Sequence, residues 1–116
     1  MDETWRLSAV ELGEAYARGG TDPVAMLETI QARIERLNPV LNAIVCRDAS
    51  AAAAARDSAA RLRAGKPRSA LEGVPFTVKD SILVAGLPCT CGSRTMRDFV
   101  PEADELPVAR LRAAGA

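Results

Sequence analysis

A lysine at the end of a short alternating segment is the residue in this sequence best placed for chemistry. In the stretch Gly73–Lys79, the apolar residues Val74, Phe76 and Val78 alternate with three others. A strand places alternate side chains on opposite faces, so the apolar side chains share one face and Lys79 lies on the other. The pattern predicts a strand that presents one amine at its end.

Lys79 has two interpretations. It could end the strand by reaching water or by pairing with the adjacent Asp80, as surface lysines commonly do. It could instead be a base, because burial disfavours the charged form of a lysine, and a neutral amine near pH 7 can accept a proton from a hydroxyl nucleophile. The alternating pattern does not choose between the two.

Four blocks in the second half of the chain carry a family resemblance. They are Gly73-Val74-Pro75 with Val78-Lys79-Asp80, then Val84-Ala85-Gly86, then Thr90 with Gly92-Ser93, and finally Arg110-Leu111-Arg112-Ala113-Ala114-Gly115-Ala116. In this order and spacing they resemble the amidase signature family of serine amide hydrolases, strongly over nearly half of the chain and weakly over the helical part before it. The resemblance implies that Lys79 is the general base of a Ser/cis-Ser/Lys triad, and it implies no metal or organic cofactor.

The chain departs from the family pattern in two places. Ser81 and Leu83 stand where many members have Asn and then Asp after the Lys-Asp pair. The family's Gly/Ser-rich stretch, which carries the bridging serine and the nucleophile, comes after the block that here closes at Ala116. We therefore expect an N-terminal portion of an amidase, inactive by itself because base and nucleophile act as a unit.

The resemblance implies hydrolysis of a carboxylic amide, with a small-molecule amide as the substrate of the full-length enzyme. Within the family, an alternative is the A subunit of a tRNA-dependent amidotransferase, which uses the same lysine to release ammonia from glutamine for a partner. A non-catalytic remnant that binds a partner through an apolar helix stripe is a second alternative.

The composition is that of a globular chain without a strong electric field. Among 116 residues, 15 are Lys or Arg and 15 are Asp or Glu, so the composition indicates no nucleic-acid or anionic-membrane partner. Three cysteines and no histidine argue against a zinc site and Ser-His-Asp chemistry, and they favour a reducing, cytoplasmic compartment. No apolar run is long enough to cross a membrane. An unfinished sheet would expose an edge, which favours a homo-oligomer.

Helices are predicted for the first half of the chain. Ser8 and Glu11 form a capping-box pattern at the start of the first helix. The second helix is expected to begin at Thr21 or Asp22 and to stop at Asn38-Pro39. Its apolar stripe consists of Leu27, Ile30, Ile34 and Leu37.

An alanine-rich segment predicts the third helix. It is expected to start at Asp48 or Ser50 and to end at Ala64, since alanine is the best helix former. Asp57 and Arg61 stand one helical turn apart, in the order that favours an ion pair between them.

Short strands and one more helix are predicted for the rest. The strands are expected at 42–46, 74–79 and 82–84, and Asp104 is the expected N-cap of a helix over 105–114. The fold class predicted is α/β, with N-terminal helices and the beginning of a mixed sheet of the amidase signature fold, incomplete in this chain.

The predicted domain organisation is a single unit. Residues 1–116 are expected to be the N-terminal part of one amidase domain, of which 1–65 is mainly helical. Residues 71–116 form the strand-helix part that carries Lys79, and the loop Lys66-Pro67-Arg68-Ser69 joins the two.

Overall fold

A computed structural model describes residues 3–116, so the first two residues of the expected domain lie outside the described residues. In residues 3–116 the regular structure is helical. The helices are α1 (Ala9–Ala17), α2 (Pro23–Leu41), α3 (Ala51–Arg63) and α4 (Leu106–Ala114), with short 3₁₀ turns at Thr4–Arg6 and Arg94–Met96.

The first two helices begin where their capping residues predict. The Ser8 hydroxyl accepts from the Glu11 amide at 3.3 Å, and a Glu11 carboxylate oxygen accepts from the Ser8 amide at 2.8 Å. Of the two candidates for α2, Asp22 is the cap, since its carboxylate accepts from the amides of Val24 and Ala25. Each bond satisfies a backbone donor that the first turn leaves unpaired.

The predicted end of α2 at Asn38-Pro39 is wrong, because the helix continues through Pro39 to Leu41. A proline this close to the end removes one backbone donor, and the Asn42 amide still donates to the Asn38 carbonyl at 2.7 Å. The Asn38 side chain then binds both the amide and the carbonyl of Ile44 at 2.8 Å. These side-chain bonds hold the following segment as a loop, so the predicted strand at 42–46 is also wrong.

The expected beginning of a mixed sheet is not found, since none of the residues 3–116 lies in a β-strand. A strand is held by hydrogen bonds to a neighbouring strand. Phe76, Thr77 and Val78 make no hydrogen bond within the described part of the chain. The predicted α/β class is therefore corrected to an all-helical arrangement for this part, because 74–79 has no partner strand here.

The predicted strand at 82–84 is wrong. Residues in this segment instead form hydrogen bonds with the loop before α4. The Glu105 amide donates to the Leu83 carbonyl at 2.9 Å, and the Leu83 amide donates to the Glu105 carboxylate at the same distance. Asp104 does not cap α4 as predicted. Its carboxylate accepts from the Ala85 amide at 2.8 Å and pairs with Arg112 at 3.4 Å, which ties α4 to the loop after Lys79.

The last two helices end close to the predicted positions. Helix α3 ends at Arg63, one residue before the predicted Ala64. Gly115 terminates α4 with a φ of 104°, a left-handed conformation that glycine adopts at little cost.

The hydrophobic core lies between α1, α2 and the segment after α3. Leu12, Tyr16, Met26 and Val74 are buried in it, with Trp5, Ile30, Leu62 and Leu71 packed against them. The stripe predicted on α2 is divided between two environments. Ile30 packs on the core and also borders a groove of about 230 Å³ beside Trp5, and Ile34 and Leu37 line that groove further along the helix. Among the described helices, none is both long and apolar enough to cross a membrane.

Candidate active site

Lys79 lies five residues after the buried Val74, with its side chain exposed at a shallow pocket. The pocket has a volume of about 110 Å³ and is formed by Lys79 with Phe76, Thr77, Val78 and Ile82, and by Pro107, Val108 and Leu111 of α4. The wall that α4 supplies is therefore apolar, and Lys79 is the charged residue of the lining.

The carboxylate of Asp80 is bound to Thr90 and not to Lys79. One carboxylate oxygen accepts from the Thr90 amide at 2.8 Å, and the other accepts from the Thr90 hydroxyl. The side-chain and backbone hydrogen bonds from Thr90 hold the pKa of Asp80 below its usual range. Within residues 3–116, Lys79 has no ion pair.

The turn after Thr90 is joined to Asp80 through the backbone as well. The Cys91 amide donates to the Asp80 carbonyl at 2.8 Å, and Cys91 has a left-handed φ of 51°. The Gly92 amide donates to the Thr90 hydroxyl oxygen at 3.2 Å, and the Ser93 amide to the Thr90 carbonyl at 2.8 Å. The structure thus brings the Lys-Asp block and the Thr90–Ser93 block together.

The three cysteines are free thiols in this structure. Cys89 is buried, and burial together with the neighbouring Cys91 raises the pKa of its thiol. A thiol in that state packs as a small apolar group. In the described part of the chain, no group of three or more His, Cys, Asp or Glu residues could hold a metal ion.

A buried carboxylate that the sequence reasoning missed, Glu72, stands just before the Lys79 segment. It is only 1% exposed. Arg61 of α3 donates to one oxygen at 3.1 and 2.9 Å, and Arg68 donates its backbone amide to the other at 2.8 Å and its guanidinium at 3.2 Å. Glu72 is therefore the centre of a two-arginine cluster.

These hydrogen-bond donors favour the ionised form of Glu72. Burial alone would raise the pKa of Glu72, but hydrogen bonds from Arg61, Arg68 and Ser58 outweigh it and lower the pKa to about 2. The pair predicted between Asp57 and Arg61 is not formed, since the Arg61 guanidinium binds Glu72 and Ser58. Arg61 and Ser58 come from α3, whereas Arg68 and Glu72 lie four residues apart in the segment that follows it, and the sequence reasoning did not single out Glu72.

Gly73, the first residue of the Lys79 segment, connects the cluster to three helices. Its amide donates to the Gly115 carbonyl at 2.8 Å, and its carbonyl accepts from the Tyr16 hydroxyl at 3.1 Å. A Cβ atom on Gly73 would lie 2.4 Å from Pro23, so only glycine fits against the start of α2. Burial, and then the charge of Asp22, raise the pKa of Tyr16. Residues of α1, α2 and the end of α4 therefore hold the start of the segment that carries Lys79.

Comparisons with known proteins point to one family. The family described as Amidase matches residues 25–116. The A subunit of the glutamyl-tRNA(Gln) amidotransferase of Myxococcus xanthus is 40% identical over 110 residues, which are 94% of this chain and 23% of that protein. The acylamidase of Rhodococcus erythropolis is 38% identical over 112 residues, which are 94% of this chain and 23% of that protein.

A solved structure agrees with the sequence comparison. The native peptide amidase from Stenotrophomonas maltophilia superposes on this chain with a TM-score of 0.90 at 29% identity. The match covers 96% of this chain and 23% of that one. The chain therefore spans about a quarter of the length of the relatives it matches.

Proposed function

This chain belongs to the amidase family, and on that premise we propose that it forms the N-terminal, lysine-bearing part of an amidase that hydrolyses carboxylic amides. Lys79 is the general base of a Ser/cis-Ser/Lys triad, and the two serines come from sequence that follows the part matched here. The observation that carries this proposal is the family match over residues 25–116, which includes the Lys79 segment.

The proposed reaction begins with a proton transfer to Lys79. Its neutral amine takes the proton of the bridging serine, which in turn takes the proton of the nucleophilic serine. The serine oxygen attacks the carbonyl carbon, and the proton held by Lys79 returns through the bridging serine to the amide nitrogen, so that the C–N bond breaks and ammonia or an amine leaves. Water then releases the acyl group as a carboxylic acid. Backbone amides of the Gly/Ser-rich stretch would hold the oxyanion, and no step needs a cofactor.

Two features of the structure support this role. Lys79 forms no ion pair within residues 3–116, and its side chain borders a pocket. The backbone groups of Phe76, Thr77 and Val78 are not hydrogen-bonded in the described part, which leaves them available to a neighbouring strand. We propose that 74–79 becomes a strand of the family's mixed sheet, and that 1–65 and 71–116 belong to one amidase domain.

The test is a chimera in which this chain replaces the corresponding first part of the Stenotrophomonas maltophilia peptide amidase. Since the two folds agree with a TM-score of 0.90, we expect the chimera to fold and to hydrolyse amides that the parent hydrolyses. The 116-residue chain assayed alone should give no hydrolysis above background. A folded chimera that is as inactive as the chain alone would refute the proposed function.

An amidotransferase subunit is the second candidate, favoured by the 40% identity to the Myxococcus xanthus A subunit. The same lysine would then serve the release of ammonia from glutamine. Protein purified from its native source distinguishes the two, because glutamine-dependent ammonia release that requires a co-purifying subunit favours the second candidate. Hydrolysis of simple amides without a partner favours the first. The non-catalytic alternative, in which the α2 stripe binds a partner, remains a prediction that the same co-purification tests.

A further inference from the structure

We infer that Thr90 is a positioning residue that keeps the Asp80 carboxylate away from the Lys79 amine. The inference rests on the proposed function, because a lysine without an ionic partner matters for chemistry only where that lysine is the base. The observation behind it is that both oxygens of the Asp80 carboxylate are hydrogen-bonded by Thr90, one by its amide at 2.8 Å and the other by its hydroxyl.

Adjacent residues in this chain can form an ion pair when nothing else binds the carboxylate. Arg97 and Asp98 are neighbours in the sequence, and their side chains approach to 3.3 Å. Lys79 and Asp80 are neighbours in the same way, but Asp80 is bound to Thr90 and Lys79 has no ion pair among residues 3–116. At Asp80, the hydrogen bonds from Thr90 occupy both carboxylate oxygens, whereas the Asp98 carboxylate binds only Arg97 within the described residues.

The hydroxyl of Thr90 is itself held in place. It donates to Asp80 and accepts from the Gly92 amide at 3.2 Å, so its donor direction is set by the turn. The Cys91 amide fixes the backbone of Asp80 through a 2.8 Å hydrogen bond. The carboxylate is therefore held on the side of the Thr90 turn.

The other titratable groups near this turn do not replace Asp80. Cys89 and Cys91 carry thiols, and the Glu105 carboxylate accepts from the Leu83 amide at 2.9 Å. The wall of α4 that borders Lys79 is formed by Pro107, Val108 and Leu111, which carry no charge. A free Asp80 carboxylate next to Lys79 would favour the ammonium form and withdraw the lone pair that a base needs.

The lysine content of the chain allows a direct test that needs no enzyme activity. Lys66 and Lys79 are the two lysines of the sequence, and both side chains are exposed. Because only the neutral amine reacts with acetic anhydride, limited acetylation at constant pH followed by peptide mass spectrometry gives a ratio of modified Lys79 to modified Lys66. Thr90→Val frees one Asp80 oxygen and should lower this ratio about two- to fivefold, the range for an exposed ion pair. Thr90→Ser keeps the hydroxyl and should leave the ratio at the wild-type value.

Asp80→Asn identifies the cause. Alone it should leave the ratio unchanged, and in combination with Thr90→Val it should abolish the decrease. The inference is overturned if Thr90→Val has no effect, if the decrease persists in the double variant, or if Asp80→Asn alone raises the ratio. Should Thr90→Val fail to fold by circular dichroism, the Asp80→Asn comparison still decides. Amide hydrolysis is not measured, so a failure of the proposed function would not be mistaken for a failure of this inference.

Discussion

Glu72 is a buried residue that stands immediately before the segment carrying Lys79 and is bound by two arginines. Replacing it by Gln would leave Arg61 and Arg68 without the anion that they share, and we expect the free energy of unfolding to fall by about 2–4 kcal/mol. The measurement is urea unfolding of both proteins. Glu14→Gln is the matched control, because its ion pair with Arg18 is exposed and should contribute less than about 0.5 kcal/mol. Equal losses in the two variants would refute the role assigned to Glu72.

The stability of the chain should also depend on pH through Glu72. Its pKa is about 2 in the folded chain against an ordinary value of 4.5, so the unfolded state binds the proton more readily. Glu72 therefore contributes about 3 kcal/mol to the free energy of unfolding above about pH 5, and this contribution is lost as the pH falls towards 2. Urea midpoints of wild type and Glu72→Gln across this range should converge as the pH falls. A constant difference between them would contradict the assignment.

The candidate site is only partly predictable from single residues. Lys79 was singled out by the family resemblance, because the alternating pattern alone does not distinguish a base from a surface lysine, and its role as the base stays a prediction. The engagement of Asp80 by Thr90 joins residues ten positions apart, and the approach of Arg61 to Glu72 joins residues of different elements. Such contacts depend on the folded path of the chain, which the local pattern does not contain.

At the scale of elements, helix α4 must end in glycine for the Glu72 cluster to form. A Cβ atom on Gly115 would lie 2.9 Å from both the Cα and a carboxylate oxygen of Glu72, at a φ of +104°. Gly65 also follows a helix with a positive φ, +66°, but a Cβ there meets nothing within 4 Å. Gly65→Ala should therefore cost about 1 kcal/mol from backbone strain, and Gly115→Ala about 3 kcal/mol because the clash adds to it. Thermal unfolding measures both, and equal costs would show that the close approach is unimportant.

Helices were predicted better than the other elements because their signals are local. The Ser8 box, the Asp22 cap and the terminal Gly115 each depend on residues within one or two turns. The strands were wrong for this part of the chain because a strand needs a partner, and the alternating pattern of 74–79 does not supply one. The predicted end of α2 at Pro39 was wrong for a different reason. A proline in the last turn removes one backbone hydrogen bond and need not end the helix.

On the scale of the whole molecule, the chain presents apolar surface that its own core does not cover. Val40, Leu41, Val45 and Leu106 are 87%, 64%, 65% and 60% exposed. This exposure and the unpaired backbone at 76–78 accord with a chain that spans 23% of the length of its relatives. Such surface favours further contacts, either with the rest of an amidase domain or with another copy.

The most direct measurement is the effect of two lysine substitutions on amide hydrolysis by the chimera with the Stenotrophomonas maltophilia peptide amidase. Lys79→Ala removes the proposed base, whereas Lys66→Ala removes the other lysine from an exposed loop and serves as the matched control. We expect Lys79→Ala to lower kcat/KM by at least about 1,000-fold and Lys66→Ala to change it less than about twofold. A Lys79→Ala chimera that is folded and nearly as active as its parent would contradict the assignment of Lys79 as the base.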